Sequence, residues 1–537
     1  MPLSGKTYQE ICAGFRWQIP DRFNIAEATC DRHVGSNKTA LIVDNDSGSV
    51  ELTFEHLQEQ SSRLANALSA HGVVRGDRIG ILLPQCAEAI IAHLAAYRIG
   101  AIALPLFTLF GPEALEYRLN DSGAKAVVSN AAGIEKLLAI SGHLNAAPVL
   151  IATDSRPAGN VLDWTSLIER SSSAHTRIDS DAEDPAIMVY TSGTTGNPNG
   201  VLYAHRVLLG HMPGVEFPHD FFPQPGDRMW TPADWAWAGG LMDVLLPSLF
   251  HGIPVVAKRL QKFDPEAAFA LLARHGIRNA FMPPTALKMM RQVTQPQQRF
   301  GYSMRSVASG GERLGDEMLD WGRETFGRTM NEFYGQTEAN LTIGNCASVM
   351  DLKPGSMGRA MPGHVVEVVD DEGVPVPPGA TGTIAVKAPD PVFFLRYWNK
   401  SEATEEKFKN GWLLTGDTGN RDEDGNFWFH GRNDDVIISG GYRIGPTEIE
   451  ECLMAHPVVA MVAVIGVPDL LRGEVVKAFI VPREGATIDD TVRADVQNFV
   501  KARLSAHEYP RQIEFRDSLP MTITGKIRRK DLREEAI

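Results

Sequence analysis

Between residues 53 and 128 the chain alternates two hydrophobic periods. Leu57, Leu64, Ala65 and Leu68 recur at the three- and four-residue spacing of a single helix face. The run 78–84 is instead short, with no polar residue between Arg78 and Pro84, which predicts a buried strand. The pattern predicts a helix over 87–97, a strand over 101–105, a helix from Gly111-Pro112 to Leu119 and a strand over 126–128. Alternation of this kind predicts a parallel sheet with crossover helices. The stretch 154–183, rich in Ser, Asp and Ala, predicts a loop.

Further on, 186–190 is an apolar run after Asp184-Pro185 and predicts another buried strand. The stretches 281–285 and 308–312 each predict a strand ending in a turn, where open α/β sheets bind ligands. Trp230, Trp235 and Trp237 fall within eight residues, and burial of so much indole predicts a core or a pocket wall. The pattern then changes. The runs 365–369, 382–386 and 427–429 are short strands beside turns at 371–373, 377–379 and Asp424-Gly425, which predicts a small antiparallel, barrel-like subdomain. After Gly431 come a helix from Pro446 and strands at 461–465 and 477–481, a small second domain. The predicted fold class is α/β: a large N-terminal domain of α/β subdomains plus a small β-barrel-like subdomain, then a small mobile α+β C-terminal domain.

Composition narrows the classes of function. At 537 residues the chain is too long for one core, and 43% hydrophobic with 22% charged residues is ordinary globular composition. No apolar run reaches membrane-spanning length, and no leader pattern opens the chain. The five cysteines are scattered without CxxC spacing, which argues against a disulfide framework or a zinc site and makes the cytoplasm the expected compartment. A net charge of −14 argues against general nucleic-acid binding, so an anionic ligand must be met by local positive groups. Residues 501–537 carry nine Lys/Arg against six Asp/Glu and supply one such region. The sequence leaves a homo-oligomer open.

The stretch with most chemistry is Tyr190-Thr191-Ser192-Gly193-Thr194-Thr195-Gly196-Asn197-Pro198-Asn199-Gly200. Its glycines let backbone N–H groups turn inward and its hydroxyls add short donors, so it can wrap phosphate oxygens; it can equally be a plain surface turn. It lacks the Gly-Lys-Ser/Thr ending of a P-loop. Around Thr337-Glu338, a carboxylate able to bind Mg²⁺ and the capped start of a helix fit the local sequence equally well.

The wording of these segments resembles the adenylate-forming (ANL) superfamily: acyl-CoA synthetases, luciferases and peptide-synthetase adenylation domains. The loop matches Tyr-Thr-Ser-Gly-Thr-Thr-Gly-x-Pro-Lys-Gly, and Tyr334-Gly335-Gln336-Thr337-Glu338 matches Tyr-Gly-x-Thr-Glu. Thr415-Gly416-Asp417, Gly431-Arg432-Asn433-Asp434-Asp435 and the closing Pro520 to Ile527 stretch match three further motifs in family order. The resemblance implies ATP and Mg²⁺ as ligands, and division into an adenylation domain, 1–433, and a C-terminal domain, 434–537, that turns about Asp434. It implies that Thr191, Ser192, Gly193, Thr194, Thr195, Gly196 and Asn199 surround the phosphates. Gly311, Glu312, Glu332, Phe333, Tyr334, Gly335 and Gln336 would border the nucleotide. Thr337 would contact the α-phosphate and the substrate carboxylate, and Glu338 would hold Mg²⁺. Asp417 and Arg432 would take the ribose, and Lys526 would bridge carboxylate and α-phosphate.

Ser439 to Pro446, with Arg472-Gly473-Glu474, Lys501 and Tyr509-Pro510-Arg511, resembles the medium-chain acyl-CoA synthetases in particular. That implies Gly440, Gly441, Tyr442, Arg472, Lys501 and Arg511 around coenzyme A, with Arg443 nearer the acyl-adenylate. The implied reaction joins a carboxylic acid to coenzyme A through an acyl-adenylate, and the expected partners are that acid, ATP and coenzyme A. Acetate-specific relatives carry Trp where Gly335 stands, so a deeper pocket and an acid larger than acetate (short- or medium-chain, branched or aryl) are expected. Trp235, Trp237, Gly310, Phe333 and Gly335 are its candidate walls. One departure stands out: the motif's lysine is Asn199, a neutral donor, which predicts weaker MgATP binding or slower adenylation. The alternatives are an adenylating enzyme with another acceptor and a catalytically impaired homologue that only binds acyl or nucleotide ligands.

Overall fold

A computed structural model describes the chain except residues 1–2, 46–47, 155–159, 192–197, 259–261, 313, 433–434, 436, 440–441, 470–471, 505–508, 523–524 and 537. The described residues form two compact units, 1–365 with 387–408, and 366–386 with 409–537.

The first unit holds two sheets, of eight and nine strands. In the eight-stranded sheet, Ile102–Pro105, Arg78–Leu82, Ala126–Ser129 and Val149–Ala152 run parallel as neighbours. Helices Ala87–Arg98, Pro112–Ser122 and Ala131–Ala139 make the crossovers. Their ends are set by ordinary devices: Pro112 at the start and left-handed Gly123 at the end of one, the Asn130 side chain accepting from Gly133 N in the next. Leu57, Leu64, Ala65 and Leu68 are all buried on one face of Phe54–Ala70, as their spacing predicts. Pro185–Thr191 joins the sheet parallel to Ile102–Pro105 and returns antiparallel as Asn199–Ala204, with Thr191 paired to Asn199. The edge strand Arg396–Tyr397 lies against Asn199–Ala204.

In the nine-stranded sheet, Met229–Trp230, Asn279–Phe281, Ser306–Gly310 and Asn331–Gln336 run parallel, and the last doubles back antiparallel as Ala339–Gly344. The predicted loop 154–183 is a correction. It contains helix Trp164–Arg170, whose Trp164 and Ile168 are buried and whose Asp163 caps the first turn. Two apolar residues four apart outweigh the polar composition around them.

The second unit has two further sheets. Val366–Val369, Gly382–Lys387, Trp412–Arg421 and Phe427–Arg432 make the antiparallel, barrel-like subdomain. The C-terminal α+β part is built on the long hairpin Val459–Asp469 and Gly473–Pro482. Helices Pro446–Met454 and Asp490–Arg503 bury Ile449, Leu453, Val496 and Val500 against it.

Candidate active site

The Gly/Ser/Thr loop leaves and re-enters the sheet through paired strands. Ser192 to Gly196 lie outside the described residues, but both stems are described. Tyr117 donates its hydroxyl to Pro198 O at 3.0 Å, and Tyr190 donates to Asp121 at 2.6 Å. At the second stem Lys400 Nζ donates to Asn199 Oδ1 at 2.6 Å. Gly200 is packed among Met188, Tyr190 and Trp398, each 3.2 Å from where a Cβ would stand.

Thr337 and Glu338 occupy the turn between strands Asn331–Gln336 and Ala339–Gly344, and do not start a helix. Two buried phenols grip this turn: Tyr203 donates to the Thr337 carbonyl and Tyr397 to the Glu338 carboxylate. Phe394 N adds a bond to Glu338 O at 3.2 Å. Burial, reinforced by the negative charge of Glu338, pushes the Tyr203 hydroxyl well above its ordinary pKa, so it stays a neutral donor. Glu338 is 9% exposed. A nearly buried single carboxylate is the donor Mg²⁺ takes when substrate phosphates complete its shell, so the turn fits the implied ion. Glu332, on the preceding strand, accepts from Leu314 N at 2.9 Å. Gly311 has φ +94°, and Gly311 and Glu312 are exposed beside that strand end. Tyr334, Gln336 and Thr337 are half-buried on the strand and its turn.

The candidate acyl walls come together in part. Phe333 lies 5.2 Å from Phe281, and Phe281 5.7 Å from Trp237 (ring centroids). Gly310 admits the Phe333 ring, which any Cβ at 310 would overlap, and a Cβ at Gly239 would meet Trp237 at 2.9 Å and Phe281 at 3.0 Å. Trp235 is buried. At Gly335 the expected cavity is not what the missing side chain leaves: a Cβ there would overlap the backbone of Asn340 and Leu341, so close strand approach fills that space. Behind it, Asn340 donates to Asp243 at 2.6 Å, on a π-helical turn, Leu241–Leu245. Burial raises the Asp243 carboxyl well above the usual range and lowers neighbouring His211 to about 4.

A cavity of about 280 Å³ in the same unit is lined by Gln85, Asn130, Lys136, Asp234 and Lys258 among others. Burial raises Asp234 to about 6, against one bond from Ala236 N.

In the second unit, Asp417 and Arg432 are cross-strand partners, with Arg432 Nε 4.0 Å from the carboxylate. Thr415 Oγ1 accepts from Asp417 N at 3.1 Å and donates to Ile384 O at 2.6 Å, while Gly416 takes φ +77°. These bonds hold the Asp417 backbone. Lys526 is exposed on a tight turn where Thr522 N donates to Lys526 O and Lys526 N to Thr522 Oγ1. Lys501 and Arg511 both lie over the Tyr509 ring, 4.0 and 4.9 Å from its centroid. Ser439 pairs with Gly473, and Arg472 immediately precedes that strand. Gly440, Gly441, Asp434 and the side chains of Tyr442 and Arg443 lie outside the described residues.

Sequence reasoning did not select Tyr203, Tyr397, Lys400 or Asp243. The aromatic run Phe393-Phe394-Leu395-Arg396-Tyr397-Trp398 was the available signal for Tyr397; a lone lysine after it carries none.

The family model described as "AMP-binding enzyme" matches residues 27–398, and that described as "AMP-binding enzyme C-terminal domain" matches 448–526. The chain is 35% identical to the acetyl-coenzyme A synthetase of Bacillus subtilis (strain 168), covering 98% of this chain and 95% of that one. It is 33% identical to the mitochondrial acyl-coenzyme A synthetase ACSM3 of Rattus norvegicus, over 100% and 94% of the two. Among solved structures, the anthranilate CoA ligase AuaEII in complex with anthranoyl-AMP superposes with a TM-score of 0.88 at 28% identity, over 96% and 98%. Two family models in order, and relatives matched end to end, leave one assignment: the chain belongs to the AMP-binding enzyme family, within its acyl-CoA synthetases.

Proposed function

We propose that this AMP-forming acyl-CoA synthetase activates a carboxylic acid larger than acetate. The single observation that carries the reading is the aromatic wall Trp237–Phe281–Phe333, which leads along strand Asn331–Gln336 to the pinned Thr337–Glu338 turn. Flat rings beside a carboxylate- and phosphate-handling turn suit a short-to-medium, branched or aryl acyl group. A relative named for acetate makes acetate the competing substrate.

The chemistry needs no side-chain nucleophile. A carboxylate oxygen attacks the α-phosphorus of ATP, the bond to the β-phosphate breaks, and pyrophosphate leaves. The thiolate of coenzyme A then attacks the acyl carbon and AMP departs. Rate comes from positioning and charge stabilisation. In our assignment Thr191 to Gly196 and Asn199 cradle the phosphates; Gly311, Glu312 and Glu332 to Gln336 border adenine. Thr337 orients the carboxylate and α-phosphate, Glu338 holds Mg²⁺, and Asp417 and Arg432 receive the ribose. The ion's contribution is to neutralise phosphate charge. Lys526 stabilises charge as it shifts to the α-phosphate oxygens. Gly440, Gly441, Tyr442, Arg472, Lys501 and Arg511 receive coenzyme A, and Arg443 and Trp235 flank the acyl-adenylate. The functional boundary is placed at 433/434, with Asp434 the hinge. The five free cysteines support cytoplasmic residence, and among the described residues no helix is long and apolar enough to cross a membrane.

The test is pyrophosphate release over acids from acetate to octanoate plus branched and aromatic acids, with and without coenzyme A. Turnover that requires coenzyme A and favours acids beyond acetate is expected. A clear preference for acetate defeats the substrate proposal, and turnover without coenzyme A points to another acceptor.

A further inference from the structure

The segment Tyr190 to Gly200 contains no Lys or Arg, in a chain of net charge −14. A triphosphate brought to such a loop meets only neutral donors from the loop itself, and charge-assisted hydrogen bonds to phosphate are about twice as strong as neutral ones. The missing charge reaches the loop's stem from 201 residues further along the chain, where Lys400 Nζ donates to Asn199 Oδ1 at 2.6 Å. We propose that Lys400 is the phosphate-site cation of this enzyme, delivered across the sheet edge to the stem of a loop that lacks one. The inference rests on the functional reading above.

Three features of the structure support this role. The first is reach. A lysine at position 199 would carry its ammonium about 6 Å from its own Cα, and standard bond lengths put an ammonium bonded to Asn199 Oδ1 within about the same distance of that Cα. One positive charge therefore occupies the sphere that a loop lysine would sweep.

The second is rigidity. Leu395 N and Trp398 N donate to Leu202 O and Gly200 O, both at 2.7 Å, and Arg396 and Tyr397 pair with Leu202 and Val201. This short edge strand fixes the backbone two residues before Lys400. Thr404 Oγ1, which accepts from Tyr397 N and donates to Lys400 O, fastens the turn after it. Three residues back, the same strand carries Tyr397 to Glu338. One edge strand thus serves both the phosphate stem and the turn assigned to Mg²⁺.

The third is donor arithmetic. A lysine ammonium can only donate, so its bond engages the Asn199 carbonyl oxygen and leaves the two amide hydrogens for other acceptors. Asn199 and Lys400 together then present donors alone to an anion, which neither a lone Asn nor an Asn with a free carbonyl does.

The test combines Lys400→Met, Asn199→Lys, Lys400→Arg and the Asn199→Lys/Lys400→Met double variant. MgATP affinity is measured by calorimetry without acid, and the MgATP KM and kcat of pyrophosphate release with the best acid. Lys400→Met is expected to weaken MgATP about tenfold, the scale of one charge-assisted contact. Its thermal midpoint should be unchanged, as should its rate from added acyl-adenylate and coenzyme A. Lys400→Arg should stay near wild type, and the double variant should recover most of the lost affinity because the charge has moved to the loop. Unchanged MgATP affinity in Lys400→Met overturns the proposal. So does a loss that Asn199→Lys does not rescue, which marks Lys400 as a structural tether. Absence of MgATP binding by the wild-type enzyme overturns the functional reading itself, and this inference with it.

Discussion

The hydroxyl of Tyr397 donates to the carboxylate of Glu338, 59 residues away and almost wholly buried. Because Tyr203 holds the adjoining Thr337 carbonyl, the turn is fixed on both its backbone and its side chain before any ligand arrives. Pre-set donors and acceptors of this kind avoid reorganisation during reaction.

Tyr397→Phe should therefore weaken adenylation more than folding. Removing one donor from a buried carboxylate costs about 1–3 kcal/mol. The Mg²⁺ dependence of pyrophosphate release should shift to higher concentration, and kcat should fall by about ten- to a hundredfold. Unaltered Mg²⁺ dependence and kcat would show that the phenol serves packing alone.

Gly335→Ala is expected to lower stability by about 1–3 kcal/mol, the usual cost of overpacking, because its Cβ would overlap Asn340 and Leu341. Urea titration measures it. Phe333→Leu, by contrast, opens the aromatic wall, and kcat/KM should shift about tenfold toward bulkier acids relative to small ones. An acid profile that does not move would remove Phe333 from the pocket.

Asp234 gives a pH signature. Burial raises its pKa from 3.8 to about 6, so between these values the folded protein binds more protons than the unfolded chain. Asp234's own contribution to stability is then most favourable below about pH 4, falls as pH rises through 6, and is level above; the two-unit shift corresponds to about 3 kcal/mol, and to less once solvent at its open edge is counted. Asp234→Asn keeps the acceptor for Ala236 N. It should flatten the profile between pH 4 and 6 and raise stability at pH 7. A variant whose urea midpoint falls in parallel with wild type would show that another group titrates.

Lys501 and Arg511 share the Tyr509 ring, so they should act as one unit. The double alanine variant is expected to raise the coenzyme A KM about tenfold. Acid-dependent exchange of pyrophosphate into ATP, which needs no thiol, should be unchanged. A fall in that exchange would place the pair outside thiol binding.

What the sequence determined by itself was the part written in local code. A period-3.6 face marked the helix around 57–68, short apolar runs marked the strands within 78–128, the Asp-Gly-type turns marked the barrel-like sheet, and short motifs singled out Thr337, Glu338, Asp417 and Lys526 as candidates. Each depends on neighbours within a few residues, so each survives being read in one dimension. Only the tertiary structure decided that Tyr203 and Tyr397 meet the Thr337–Glu338 turn and that Lys400 meets Asn199, because strand pairing sets their proximity over separations from 59 to 201 residues. It also decided the meaning of Gly335: the bare sequence shows a missing side chain, whereas the fold fills that space with backbone from the returning strand. Asn199 shows the same division. Its identity is a fact of sequence, but the charge at its position is set by a lysine that only the sheet edge brings within hydrogen-bond reach.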